Sequence, residues 1–111
     1  MDKITLRLYA QDLTVLLDLF NTTTPASNSR VVIDGIGDIE FGRISHHLGI
    51  STQDIVITLI INVIAGVPSS LLANWIFHKL SRDGQTPVRI GNDPVVKTSE
   101  EEIASTLTTQ K

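Results

Sequence analysis

The chain has 111 residues, twelve Asp and Glu against nine Lys and Arg, a formal charge of −3, a pI near 5.4 and no cysteine. A disulfide scaffold, a thiolate zinc site and cysteine nucleophile chemistry are thereby excluded, and the length fits a single domain, residues 1–111, that can bury a core without a covalent staple. The acidic balance leaves no phosphate-binding footprint, so direct nucleic-acid contact is not expected; it suits a basic protein partner, and equally plain solubility.

Lys3 to Tyr9 alternates, with Ile4, Leu6 and Leu8 on one face and Lys3, Thr5, Arg7 and Tyr9 on the other, which predicts a half-buried strand. The charges of Lys3, Arg7 and Asp12 also leave no apolar run of the kind a secretory signal needs, and no lipidation motif is read at either end. Leu13, Leu16, Leu17 and Phe20 recur at helical spacing, so Asp12–Phe20 reads as a short amphipathic helix opened by an acid. Asn21–Ser29 is polar and aperiodic, a loop. Arg30–Ile44 reads as two strands, Val31–Ile33 and a return carrying Ile39 and Phe41, joined by Asp34-Gly35-Ile36-Gly37-Asp38. The glycines there can take positive φ; a single bent strand with a glycine bulge is the alternative.

Ser51-Thr52-Gln53-Asp54 has the form of a capping box. It precedes Ile55–Phe77, 23 residues without a charge. The expectation is a long central apolar helix, kinked or divided at Gly66 and Pro68, with Pro68 able to open a second helix. That helix is read as the buried core of the domain. The alternative is a single inner-membrane span, for which the length suffices and Lys79 and Arg82 would mark the cytoplasmic side. Against a span stand Asn62, Ser69, Ser70 and Asn74 within the window. Arg82-Asp83-Gly84 ends the helical region, and Thr86–Ile90 and Val95–Thr98 read as two short peripheral strands around Gly91–Pro94. Ser99 with Glu102 makes another capping box for a last helix whose inner face is Ile103 and Leu107. The predicted order is β-α-β-β-α-β-β-α, an α+β fold with a mostly antiparallel sheet of four to five strands packed on the central helix.

Chemistry is sparse. Adjacent His46 and His47 point apart on a strand, and no third ligand stands at a metal spacing. No nucleophile elbow or triad pattern appears. Asp34, Asp38 and Glu40 around the hairpin could clamp a cation or, with the histidines, serve acid–base chemistry, but such carboxylates are commonly turn formers and a solvated strand face. Glu100, Glu101 and Glu102 favour a helix N-terminus. These six carboxylates are the candidate contacts for a basic partner. Trp75 reads as core or edge-of-core. No catalytic residue, metal or cofactor is expected, and the chain is read as non-enzymatic.

The apolar segment closing in Ala73-Asn74-Trp75-Ile76-Phe77-His78-Lys79, followed by a basic turn, a hairpin and the capped helix Ser99–Leu107, together with the strand Ile4–Leu8, resembles the small effector-associated constant component proteins of bacterial conflict systems. Those pair an effector with a small α+β partner and contribute no catalytic residues. The chain is also similar in class to immunity proteins of contact-dependent toxin systems, small acidic α+β domains. Both resemblances imply a cytoplasmic protein that neutralises or controls a toxic effector encoded next to it, by direct association.

Overall fold

The computed structural model describes residues 2–46, 55–82, 85–91 and 99–109. Five strands form one antiparallel sheet in the order β2-β3-β4-β1-β5: β1 (Asp2–Ala10), β2 (Arg30–Ile33), β3 (Gly37–His46), β4 (Ile55–Val63) and β5 (Val88–Ile90). The helices are α1 (Thr14–Phe20), α2 (Ser69–Trp75) and α3 (Glu100–Thr109); α2 runs on as a π-helical stretch, Ile76–Leu80.

The α+β class and the antiparallel five-stranded sheet agree with the sequence. The long central helix does not. Ile55–Val63 is the middle strand of the sheet, paired along its whole length with β1 on one side and β3 on the other. Seven of its nine residues, Ile55, Val56, Ile57, Thr58, Ile60, Ile61 and Val63, are β-branched, stiff at χ1 and suited to a pleated surface. Its run is continuously apolar because both neighbours shield it: Ile57, Leu59 and Ile61 are fully buried, while Val56 and Ile60 on the opposite face are half-buried. The observed order among the described residues is therefore β-α-β-β-β-α-β-α. Among the described residues no helix is long and apolar enough to cross a membrane, so the single span through 55–77 is not formed. The capping box at 51–54 and the strand expected at 95–98 lie outside the described residues.

Gly66, at φ +92°, turns the chain out of β4, and Pro68 stands just before α2 with extended backbone (φ −68°, ψ 146°), the helix-opening role. At the far end Ser81 N–H bonds the Ile76 carbonyl at 3.0 Å, the five-residue step of a π turn, and the Ser81 hydroxyl donates to the Phe77 carbonyl at 2.7 Å. Arg82 then leaves the helix at φ +51°. The last helix begins as expected, with Glu102 N–H bonding Ser99 Oγ at 3.3 Å.

Strand alternation divides the sheet. Leu6 and Leu8 of β1, Ile57, Leu59 and Ile61 of β4, Ile39 and Phe41 of β3, and Val88 and Ile90 of β5 share one face in register. They are buried in one core with Leu16 of α1, Leu72, Ile76 and Leu80 of the α2 segment, and Ile103 and Leu107 of α3. All three helices thus cover the same face, and Trp75 packs half-buried at its margin. A bulge at Gly42 matters here. Phe41 pairs with Leu59 and Arg43 with Thr58, leaving Gly42 as the extra residue. That one insertion keeps Phe41 and Ile44 on the core side and swings Arg43 to the other.

Candidate functional site

Opposite the helices, the sheet presents Arg89 from β5, Lys3, Thr5, Arg7 and Tyr9 from β1, Val56, Thr58, Ile60 and Asn62 from β4, Asp38, Glu40, Arg43 and Ser45 from β3, and Arg30 and Val32 from β2. Side chains at its centre, including Arg7, Thr58 and Ile60, are half-buried against one another, while Lys3, Arg43 and Arg30 at its margins are exposed. Val32, on the short edge strand, is 74 % exposed. This is a broad face with an apolar centre, Val56 and Ile60, framed by charged side chains.

Two polar contacts fix its β2–β3 side. Arg30 donates to Glu40 Oε1 from Nε at 2.9 Å and from Nη2 at 2.8 Å, directly across the β2–β3 pair. Asn62 is only 5 % exposed, and its Nδ2 donates to Asp38 Oδ1 at 2.7 Å from the neighbouring strand. A buried amide with a satisfied donor stabilises the register, since the same amide left unpartnered would be destabilising.

The six candidate carboxylates are not gathered in one place. Asp34 is exposed in the hairpin turn. Asp38 and Glu40 lie on the open face, held by Asn62 and Arg30. Glu100, Glu101 and Glu102 stand on α3 in the helical layer, where Glu100 accepts from Asn74 Nδ2 at 3.1 Å and the other two are exposed. Of the histidines, His46 ends β3, His47 lies outside the described residues, and His78 is exposed on the π-helical stretch. Among the described residues no group of three His, Cys, Asp or Glu gathers in metal-binding geometry.

A cleft of about 500 Å³ opens where β1 runs into α1, lined by Tyr9, Gln11, Asp12, Arg82, Gln85 and Thr86 among others. Its charged groups serve the fold. Just ahead of α1, Asp12 Oδ1 accepts from the Thr14 hydroxyl and from the Thr14 amide at 3.0 Å, and these two bonds hold the Asp12 carboxyl below its ordinary pKa. Arg82 Nη2 meets Asp18 Oδ2 at 3.2 Å, tying α1 to the end of the α2 segment; both partners are exposed, so solvent screens the pair and its contribution is small.

Sequence reasoning placed Lys3, Arg7 and Tyr9 on the polar face of the first strand, but it missed the face they help to build. That face depends on the register of four other strands and on the parity change at Gly42. The β-branched content of residues 55–63 was the available signal. The chain matches no family model, no curated protein and no solved structure.

Proposed function

We propose that this chain is a non-enzymatic protein-binding module that controls a partner by direct association through the open face of its sheet, and that the partner is a toxic effector encoded beside it. The observation that carries this reading is the face itself. A sheet whose described helices all lie on one side leaves Val56, Ile60 and Val32 within a frame of arginines, and apolar centres with arginine and a polar rim are the make-up of protein interfaces. The effector as partner is drawn from the resemblance to conflict-system proteins, whose small α+β components act by pairing. The buried core beneath it holds the five strands in one register.

Co-expression with the product of the neighbouring gene tests the proposal. The two proteins co-purify, and cells carrying the neighbour survive only with this chain present. Replacing Val56 and Ile60 together by Ser removes the complex while the far-ultraviolet circular dichroism stays that of the native fold. A chain that neither binds its neighbour nor protects from it contradicts the proposal, as does a complex indifferent to the Val56 and Ile60 replacements.

A further inference from the structure

The net charge of the chain conceals a separation of charge. Among the described residues, Lys3, Arg7, Arg30, Arg43 and Arg89 stand on the open face, against Asp38 and Glu40. Glu40 is taken up by Arg30, and Asp38 is held by the Asn62 amide. One cross-strand row sets Arg89, Arg7, Thr58 and Arg43 side by side on four adjacent strands. Strands lie about 4.8 Å apart, which makes Arg7 and Arg89 direct neighbours and puts the Arg43 backbone roughly 10 Å from that of Arg7. Arg7 Nη1 reaches the Gly91 carbonyl at 3.4 Å, a neutral acceptor that leaves its charge uncompensated. Arg43 owes its place in the row to the Gly42 bulge and is exposed.

Resting on the reading of the chain as a protein-binding module, we infer that the open face docks an acidic polypeptide segment. Its carboxylates are taken by Arg7 and Arg43 on either side of Thr58, with Lys3 extending the positive field, and its apolar side chains lie on Val56 and Ile60. Guanidinium groups match carboxylates in paired hydrogen bonds, which gives such a row both affinity and direction. A polypeptide fits better than a nucleic acid on three grounds. Asp38 and Glu40 interrupt the positive field where a continuous phosphate backbone would run. Tyr9 is the one aromatic ring the described residues place on this face, too few for a base-stacking platform. The net charge of −3 opposes the approach of a dense polyanion, whereas short-range pairing with an acidic segment persists.

Fluorescence anisotropy tests this with three labelled probes: a peptide alternating Glu and Val, its Lys and Val counterpart, and an oligothymidylate. The Glu–Val peptide binds the full chain, more weakly as salt rises, and Arg43→Glu lowers its affinity about tenfold, the loss expected for a charge-assisted contact. Arg43 is exposed, so this variant folds; Arg7→Glu, checked by circular dichroism, shows the same loss. No binding of the Glu–Val peptide, equal binding by the wild type and Arg43→Glu, or tighter binding of either other probe overturns the inference. The neighbouring gene product separates this inference from the proposed function. A complex formed equally by the wild type and Arg43→Glu defeats the acidic segment and leaves the binding module standing. Selective Glu–Val binding without any complex defeats the neighbour as partner and leaves the acidic segment standing.

Discussion

Gly37 opens β3 at φ +153°, opposite Val63 of β4. A Cβ added there would lie 1.8 Å from the Asn62 carbonyl oxygen and 2.9 Å from its carbonyl carbon. Both are backbone atoms of the central strand, so no side-chain rotation relieves the overlap. Gly35 is the internal control: it has φ +79° in the turn, and a Cβ there meets nothing within 4 Å. Gly35→Ala therefore carries only left-handed backbone strain, about 1–2 kcal/mol. Gly37→Ala adds to its strain of ~1–3 kcal/mol an overpacking cost of ~1–3 kcal/mol where the β3–β4 ladder begins, for a total of about 2–6 kcal/mol. Against a stability of roughly 5–15 kcal/mol that is a large fraction. Urea denaturation followed by circular dichroism reads both variants, with the slope m compared so that a change in the denatured state is not taken for a change in stability. If Gly37→Ala is no more destabilising than Gly35→Ala, β3 and β4 do not meet in this register and the open face is not built as described.

Further outcomes follow from the same geometry. Leu6 is fully buried between Leu59 and Ile90, so Leu6→Ala costs ~2–5 kcal/mol and lowers Tm by roughly 8–20 °C in a thermal melt; an unchanged Tm contradicts the core. Asn62→Leu leaves Asp38 without its amide donor and costs about 1.5–3 kcal/mol, whereas Asn62→Leu combined with Asp38→Leu costs less than the single change; additive losses in a denaturation cycle would mean the two side chains do not interact. Asp12 has its pKa lowered from the ordinary 3.8 by the Thr14 hydroxyl and amide, so its stabilising effect is present above 3.8 and is lost as pH falls through the depressed value. Melts of wild type and Asp12→Ala accordingly differ at neutral pH and converge in acid; a gap that persists in acid rules out the carboxylate as its source.

Where local chemistry alone decides the structure, the sequence was readable. Alternation gave β1, because one of its faces meets the core and the other does not. The glycines of 35–37 gave the β2–β3 hairpin, and Ser99 with Glu102 gave the start of α3. Residues 55–77 were misread because charge-free length does not distinguish one buried helix from a central strand, a turn and a second helix. Thr58 and Asn62 are alternate strand positions on the open face, with Ile60 between them. Gly66 and Pro68 read as a kink or a division, with Pro68 able to open a second helix; they form the turn out of a strand, and a helix does start directly after Pro68. The basic row could not be seen at all, since Arg7, Arg43 and Arg89 are far apart in sequence and are aligned only by register and by the bulge at Gly42. Net charge fitted a basic partner and plain solubility equally, while the described residues place five cations on the face opposite the described helices.

Everything proposed for the open face depends on Ile55–Val63 being the central strand. Backbone NMR of the full chain tests that most directly. The account predicts strand-type Cα and Cβ shifts from Ile55 to Val63, and cross-strand contacts from Leu59 to both Leu6 and Phe41. Helical shifts running unbroken from Ile55 to Phe77, without those contacts, would contradict it and remove the face together with its row of arginines.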